Sequence, residues 1–431
     1  MERVETIIVG GGQAGLATSY CLRQLGREHV VLEQAEHAAH VWRDGRWDSF
    51  TLVTPNWTLK VPSAEYDGAE PEGFMPRDEV VAYFERYVDQ FQLPVQYSAR
   101  VVSVEPMNGN GYCVITPGTT YAAENVAVAT GFEQQPKIPQ WATALAPGIE
   151  QLHSSQYRDP ESLEAGAVLV IGSAQSGAQI AEELYQRGRH VFLSVGGAGR
   201  VPRHYRGKDV VTWLSQIGFF DLTPDKLPVP KEKFAPPHVS GTKGGHTLNL
   251  HQFARDGVTL LGHLRGASDY MVSFAPDLHE TLAGADRFEL EVQKMIDGYI
   301  QASGLEAPEE ELPLLRNGFE QPIVEEMDLT ATGITTIIWA TGYTHDYRLV
   351  KMPVFDATGF PVQVRGVTNR AGLYFVGMPW MPSLKSGILA GVGECAEHIA
   401  SSIDSRTRDR RPGMPTGSLQ STTRPVATGL H

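Results

Sequence analysis

The sequence GGGQAG, at Gly10–Gly15, comes directly after the apolar run Glu5–Val9 and indicates the fold of the chain. A strand that enters a glycine-rich turn and continues into a helix is the arrangement that binds the pyrophosphate of a dinucleotide. Gly10 permits the tight turn, Gly12 lets the backbone approach the pyrophosphate, and Gly15 lets helix and strand pack closely. The helix N-terminus then directs unpaired N–H groups at the phosphates.

An acidic residue completes this first unit. The strand Val30–Leu32 ends at Glu33, about 20 residues beyond the glycines, where a carboxylate can accept hydrogen bonds from both ribose hydroxyls. Because a carboxylate there would repel a 2′-phosphate, the first turn suits FAD or NAD and not NADP. Strand, turn, helix, strand and acid in this order favour a nucleotide site over a structural turn.

A second turn of the same kind, GSAQSG at Gly172–Gly177, follows the strand Ala167–Ile171. Its middle glycine is replaced by Ala174, whose methyl group would loosen or shift the grip on a pyrophosphate. The next strand, Val191–Val195, ends without an acid in the ribose position. Two turns on one chain indicate two nucleotides within reach of each other, and therefore redox chemistry.

Three arginines follow the second unit at Arg200, Arg203 and Arg206. Guanidinium groups in this position can pair bidentately with a 2′-phosphate. We therefore expect NADPH at the second turn. NADH remains the alternative because the strand itself ends in Gly196–Gly197, and a solvated basic loop is the structural interpretation of the arginines.

An internal repeat, ATGF at Ala129–Phe132 and ATGY at Ala340–Tyr343, lies at the exits of the two units, where the chain must cross between domains. The strand Leu373–Val376 and the helix-compatible stretch Ser386–Ile399 complete the first unit. The predicted fold is α/β, with two nucleotide-binding Rossmann-like domains and the NADP domain inserted in a discontinuous FAD domain. We place the FAD domain at 1–160 and 334–403, the NADP(H) domain at 161–333 with a lid or substrate insertion at about 205–316, and a disordered tail at 404–431.

Composition narrows the functional class. The 431 residues carry a net charge of −14, which argues against nucleic acid and anionic membranes as partners. Cys21, Cys113 and Cys395 form no CxxC pair, which argues against a disulfide reductase and fits a reducing cytoplasm. No secretory segment precedes the first strand and no apolar run reaches about 18 residues, so we expect a cytoplasmic protein.

The motifs together resemble those of class B flavin-dependent monooxygenases, the clan of flavin-containing, N-hydroxylating and Baeyer–Villiger monooxygenases, and in particular its bacterial stand-alone type. GGGQAG resembles the FAD motif, GSAQSGAQIAEEL the NADPH motif, IIWATGY the signature that follows, and LHSSQYRDP, at Leu152–Pro160, the clan fingerprint. The likeness runs from about Val4 to Ala400. It identifies the clan and not a substrate.

The resemblance implies a reaction. NADPH would reduce FAD, the reduced flavin would capture O2 as a C4a-hydroperoxide, and a small substrate would be oxygenated at nitrogen, sulfur or an electron-rich carbon. The fingerprint departs from its usual form at Pro147 and Ile149, which makes oxidation of a ketone less expected. A flavin-dependent oxidoreductase, oxidase or redox flavoprotein that does not oxygenate a substrate is the alternative.

Two residues are candidates for catalysis. Asn56, in LVTPNWTLK, resembles the Asn that lines the oxygenation pocket, where its amide could donate to the peroxide or substrate; the alternative is an ordinary turn after Pro55. By the same resemblance His153 would couple NADP binding to flavin reduction, and its alternative is a loop histidine satisfied by the backbone.

The remaining expectations concern binding. No metal site is expected, because the cluster His238, Lys243, His246 and His251 fits no zinc spacing. The amphipathic stretch Phe288–Ile300 is a candidate for contact in a homodimer. The residues expected to bind the cofactors are Gly10, Gly12, Gln13, Ala14, Gly15, Glu33, Gln34, Trp42, Val102, Thr130, Gly131, Gly172, Ser173, Gln175, Ser176, Gly177, Arg200, Arg203, Arg206, Thr341, Gly342, Tyr343, Leu384 and Lys385.

Overall fold

A computed structural model describes residues 1–108, 111–197, 199–227 and 237–410. The strands are β1 (Glu2–Val9), β2 (His29–Leu32), β3 (Val95–Gln96), β4 (Ser103–Pro106), β5 (Tyr112–Ile115), β6 (Thr120–Val128), β7 (Gln135–Pro136), β8 (Glu150–His153), β9 (Ala167–Ile171), β10 (Val191–Ser194), β11 (His204–Tyr205), β12 (Lys208–Asp209), β13 (Thr259–Leu261), β14 (Leu264–Ser268), β15 (Met271–Phe274), β16 (Glu326–Asp328), β17 (Ile334–Trp339), β18 (Tyr343–Thr344), β19 (Gln363–Val364), β20 (Val367–Thr368) and β21 (Leu373–Phe375). The helices are α1 (Gln13–Gln24), α2 (His40–Asp44), α3 (Arg77–Gln90), α4 (Gln175–Gln186), α5 (Val210–Ile217), α6 (Leu250–Arg255), α7 (Leu278–Ser303) and α8 (Val392–Arg410).

The first sheet combines strands from both ends of the chain. Its order is β19-β20-β21-β6-β1-β2-β3, and β4 and β5 extend from β6 as an antiparallel meander. β1 lies between β2 and β6, parallel to both, and is buried over its C-terminal half, as its run of β-branched residues predicts. α1 and α8 pack together in the core on this sheet.

The second sheet is parallel throughout, in the order β13-β10-β9-β17-β8. Because the segments of this sheet lie between β6 and β21 in the chain, the predicted α/β fold with one nucleotide-binding unit inserted in another is confirmed. The predicted boundaries are corrected at both ends. The sequence placed β8 and β17 in the FAD domain, outside the range 161–333. Both strands belong to the second sheet, because β17 pairs with both β8 and β9.

Two short strands connect the domains. The chain leaves the first sheet through β7 and leaves the second through β18, and these strands pair antiparallel, with Tyr343 opposite Pro136. The two segments that follow ATGF and ATGY therefore run side by side where the chain crosses between the sheets.

The region 205–316 is not one insertion. α6 and β13 lie within it, and β13 is the edge strand of the second sheet, so this part completes the nucleotide-binding unit. α5 and α7 pack on each other around Trp213. Val292, Ile296 and Ile300 of α7 are buried in that cluster, so this apolar face is used within the chain. Residues 228–236 of the region lie outside the described residues.

The C-terminal helix is longer than expected. α8 continues to Arg410, so residues 404–410 of the segment predicted as tail are helical, because the last turns of α8 remain attached to the first sheet. Thr407 is 1% exposed, and Arg406 donates to the Asn125 side chain at 3.2 Å. The rest of the predicted tail, 411–431, lies outside the described residues. Across the described ranges, no helix combines the length and apolar character that a bilayer crossing requires.

Candidate functional site

The glycines of the first turn differ in what surrounds them. Gly10 has φ +108°, and a Cβ there would lie 2.6 Å from the carbonyl oxygen of Ala129. A Cβ on Gly15 would lie 1.9 Å from the carbonyl oxygen of Gly10, because α1 begins directly against the strand. A Cβ on Gly12 would meet nothing within 4 Å. Gly10 and Gly15 therefore shape the turn, whereas Gly12 borders open space.

The second turn repeats this geometry. Gly172 has φ +100°, and a Cβ there would lie 2.6 Å from the Ala340 carbonyl oxygen; on Gly177 it would lie 1.8 Å from the Gly172 carbonyl oxygen. Ala174 begins α4 at φ −72° and ψ −168°, close to the −79° and −173° of Gly12 before α1. The alanine is thus unstrained. Its exposed methyl group occupies, in the second turn, the position that corresponds to the open space beside Gly12 in the first turn.

A glutamine follows the central position in each turn and holds a distant loop. Gln13 donates from Nε2 to the Gly387 carbonyl at 2.7 Å, which joins α1 to the returning C-terminal segment. Gln175 donates to the Val239 carbonyl at 2.7 Å and accepts from its N–H at 3.2 Å. Both glutamines therefore position the rims of the turns.

The other residues predicted in and around the turns are placed as follows. Ala14 lies so close to Gly377 that a Cβ on that glycine would be 2.2 Å from the Ala14 methyl group. Ser173 is 1% exposed, and its hydroxyl accepts from Gly196 N–H at 2.9 Å, while Ser176 is half-buried in the first turn of α4.

Glu33 lies over the first turn. Its carboxylate accepts from the N–H of Gly11 at 2.6 Å and of Ala35 at 2.8 Å, and the residue is 9% exposed. These donors hold the carboxylate at the C-terminal end of β2, where the ribose site was predicted. Gln34, beside it, is exposed, and Val102 is 45% exposed.

Both TG motifs turn through a left-handed glycine. Gly131 has φ +72° and Gly342 has φ +78°. Gln134 donates to Thr130 Oγ1 and to the Gly131 carbonyl, each at 2.8 Å. Thr341 donates to the carbonyl of Lys137 on the opposite linker, so the two motifs are tied to each other.

His153 belongs to this junction. It is fully buried, its Nε2 donates to the Gly342 carbonyl at 3.0 Å, and its Nδ1 accepts from Ser155 N–H at 3.2 Å. Burial lowers the pKa of His153, although the Gly342 carbonyl and the Glu133 carboxylate partly oppose the shift. The imidazole is therefore neutral, and its ring lies 4.8 Å from that of Tyr343.

Asn56 is 5% exposed and begins a short 3-10 helix, Asn56–Thr58. Its Nδ2 donates to the Glu70 carbonyl at 2.9 Å, and its backbone N–H donates to the Gly73 carbonyl at 2.9 Å. Its Oδ1 is buried and has no hydrogen-bond partner. The side chain thus presents an unsatisfied acceptor, whereas the sequence suggested a donor.

Each of the three arginines after the second unit forms an ion pair with a carboxylate of the chain. Arg203 is 1% exposed and pairs with Asp209 at 2.6 Å; burial lowers its pKa, and Asp209 partly opposes this. Arg200 pairs with Asp286 at 2.8 Å. Arg206 pairs with Asp297 of α7 at 2.9 Å. These ion pairs attach the three residues to the region around α5 and α7, and their contact with a 2′-phosphate stays a prediction.

The segment PSLKSG contacts the first turn through Gly387, as described above. Its 3-10 helix, Leu384–Gly387, precedes α8, which starts later than expected. Lys385 pairs with Asp221 at 2.9 Å and Glu394 at 2.6 Å, and the Leu384 N–H donates to the Leu222 carbonyl at 3.0 Å. The segment therefore links α8 to the region that follows α5.

Sequence reasoning missed the groups that join the domains. Glu183 of α4 accepts from Tyr157 Oη at 2.8 Å and from Ser49 Oγ at 2.7 Å. Arg46 pairs with Glu133 at 2.6 Å. Tyr157 lies in the quoted fingerprint and Glu133 directly after ATGF, but nothing in their local sequence identifies the partners. Trp42 is half-buried, 5.4 Å from the Arg46 guanidinium.

Two turns of matching geometry, each between a parallel sheet and a helix, define the class of α/β proteins with paired dinucleotide-binding units. A family model described as pyridine nucleotide-disulphide oxidoreductase matches residues 7–217. A protein of Geobacillus kaustophilus described as an uncharacterized CzcO-like oxidoreductase is 30% identical over 406 residues, covering 93% of this chain and 98% of that protein. The chain therefore belongs to the family of CzcO-like oxidoreductases.

Further comparisons confirm the predicted resemblance to flavin-dependent monooxygenases. The probable indole-3-pyruvate monooxygenase YUCCA10 of Arabidopsis thaliana is 31% identical over 218 residues, 49% of this chain and 55% of that protein. The structure of a flavin-containing monooxygenase from Stenotrophomonas maltophilia has a TM-score of 0.64 at 20% identity, covering 94% of this chain and 100% of that one, which shows the shared fold.

Proposed function

We propose that the protein is an FAD-dependent monooxygenase that takes electrons from NADPH and transfers one oxygen atom of O2 to a small nucleophilic substrate. The observation that carries the proposal is the repeated turn. Each copy has closely packed glycines at both ends, and the first copy has open space beside Gly12. The family and the resemblance to flavin monooxygenases support it.

The first turn fits FAD. The open space beside Gly12 admits a pyrophosphate, the first turn of α1 directs its N–H groups there, and Glu33 would accept from the ribose hydroxyls. When bound, FAD would supply electron storage and activation of O2. The chain's part is to hold it, exclude water and position the coenzyme and substrate.

The second turn would hold NADPH, with NADH as the alternative. The methyl group of Ala174 borders the place where a pyrophosphate approaches, so binding there would be looser than at the first turn. Neutral His153 holds the Gly342 carbonyl between the two units and does not serve as a proton source. Its role is to fix the junction across which the coenzyme reaches the first domain.

Asn56 is proposed to orient a reacting group through its acceptor. Because Nδ2 already donates to Glu70, the unpaired Oδ1 is free to accept from an N–H or O–H group of a bound molecule. The overall reaction consumes NADPH, a proton, O2 and substrate, and yields NADP⁺, water and a product that contains one additional oxygen atom.

The test follows the fate of the oxygen. Purified protein reconstituted with FAD is supplied with NADPH, air and panels of sulfides, amines, indoles and ketones, and products are analysed by mass spectrometry with parallel measurement of H2O2. We expect at least one product with one added oxygen and less H2O2 than NADPH consumed. H2O2 equal to NADPH with every substrate would instead identify an oxidase, and an ester or lactone from a ketone would identify Baeyer–Villiger oxidation.

A further inference from the structure

Arg46 lies where the two linkers between the domains cross. Its side chain is 16% exposed, and its Nη2 donates to the carboxylate of Glu133, on the linker that leaves the first sheet, at 2.6 Å. The phenol of Tyr343, on the linker that leaves the second sheet, lies close enough to help raise the pKa of Arg46. A single guanidinium is therefore paired with one linker and lies beside the other.

The surroundings fix Arg46 in place. Its guanidinium carbon lies 5.4 Å from the ring centre of Trp42 and 5.7 Å from that of Phe50, within the range of cation–π attraction. Its carbonyl accepts from Nη1 of Arg158, in the segment that follows His153, at 2.7 Å. Burial opposes the charge, but Glu133 and Tyr343 more than offset it, so the pKa of Arg46 is raised and the group stays cationic.

These contacts reach both linkers between the sheets and a segment of the second domain. Glu133 lies two residues before β7, β18 begins at Tyr343, and the segment of Arg158 lies between β8 and β9 of the second sheet. Arg46 itself lies on the first domain, two residues after α2. A planar fork can donate in two directions at once, which a lysine ammonium on a flexible stem does less well.

We propose that Arg46 is a positioning residue that sets the second domain against the first, so that coenzyme held at the second turn is aligned with flavin held at the first. The inference rests on the proposed function, since it concerns the electron transfer from coenzyme to flavin. Loss of Arg46 would slow that step at saturating coenzyme, because a misplacement of about 1 Å costs on the order of 100-fold in rate.

The experiment uses R46M, R46K and E133Q in the full-length chain reconstituted with FAD. Flavin reduction by saturating NADPH is followed without oxygen by stopped-flow absorbance, and FAD content is measured by absorbance per polypeptide. We expect full FAD content, reduction slowed about tenfold or more in R46M, a smaller loss in R46K, and a loss in E133Q. R348M is the matched control, because Arg348 pairs with Asp346 just beyond β18 but is 88% exposed; it should reduce within about twofold of the wild type.

A second measurement needs no bound coenzyme. The N–H of Lys137 donates to the Gly342 carbonyl at 2.9 Å, so trypsin cleavage after Lys137 reports on the crossing of the linkers. Cleavage there should be faster in R46M and E133Q than in R348M.

The outcomes separate the inference from the proposed function. Unchanged reduction and unchanged cleavage in R46M and E133Q would overturn the positioning role, as would lost FAD with normal reduction of the fraction that keeps it. If R46M does not fold, the reduction rates and cleavage rates of R46K and E133Q test the positioning role. Wild-type flavin that NADPH does not reduce would contradict the proposed function, and the cleavage test would still examine Arg46.

Discussion

Gly12 and Gly15 share one turn but should respond to substitution in opposite ways. G12V adds a side chain at φ −79°, with no atom within 4 Å of its Cβ, so it should fold normally and bind no FAD. G15A places a Cβ 1.9 Å from a carbonyl oxygen, so folding itself should suffer. Circular dichroism and flavin absorbance per polypeptide check this. A yellow, FAD-loaded G12V protein would contradict the assignment of the first turn.

Ala174 offers the reverse experiment. A174G removes the methyl group beside the predicted pyrophosphate position, and it should not weaken α4, because glycine is preferred to alanine at a helix N-cap. We expect the Kd for NADPH to fall by roughly threefold to tenfold, or about 1 kcal/mol. The Kd is measured by titrating NADPH into the FAD-loaded protein after dithionite has reduced the flavin. An unchanged or raised Kd would show that the methyl group does not limit binding.

Arg203 is predicted to act on stability and not on coenzyme choice. R203M leaves Asp209 buried without its partner, and breaking such a pair costs about 3–5 kcal/mol. The free energy of unfolding should fall accordingly, measured in urea. The KM for NADPH and for NADH should change by the same factor. A rise confined to NADPH would restore the phosphate role expected from the sequence.

At the scale of elements, a titrating pair attaches the segment Gly241–Gly245 to α4. His246 Nε2 lies 2.8 Å from Glu182, and this hydrogen bond raises the pKa of His246 above its ordinary 6.5. The segment also approaches the first domain, since a Cβ on Gly241 would lie 1.9 Å from the Leu52 carbonyl oxygen. The contribution of the pair is present below the ordinary pKa and is lost as pH rises through the raised one.

E182Q should therefore cost stability most at about pH 6 and least at about pH 9. Because the His246 side chain is 33% exposed, we expect a difference of no more than about 1 kcal/mol. Thermal unfolding across this pH range measures it. D44N, which removes the partner of the exposed His40, is the control and should show a smaller dependence. A cost in E182Q that grows with pH would contradict the assignment.

The elements that sequence predicted well are those with local signals. The strand, the glycine turn and the helix each depend on neighbours in the chain, so both units were predicted, including the tight approach at Gly15. Sheet membership depends on partners far away, so β8 and β17 were assigned to the wrong domain. The ion pairs of the arginines could not be predicted for the same reason, since Asp286 lies 86 residues beyond Arg200.

At the scale of the whole molecule, the site depends on contacts that no single unit contains. Each turn lies in one domain, and the relation between the two turns is fixed by the paired linkers, by His153 and by Glu183. Glu183 is on a helix of the second domain, and Ser49 is on the first, so this carboxylate joins the units directly. The domains should therefore unfold together.

Tyr157 and Ser49 together test that coupling, since Tyr157 anchors Glu183 within the second domain and Ser49 bonds it from the first. Y157F removes the hydroxyl that donates to Glu183 inside the fold, where the tyrosine is fully buried, and we expect a loss of about 1–3 kcal/mol. S49A removes the exposed hydrogen bond to the same carboxylate and should cost about 0.5 kcal/mol or less. Calorimetry of both variants, and of the wild type, measures this. Two separate transitions in the wild type would show that the junction does not unite the domains, and equal effects of the two substitutions would contradict the larger contribution assigned to the buried hydrogen bond.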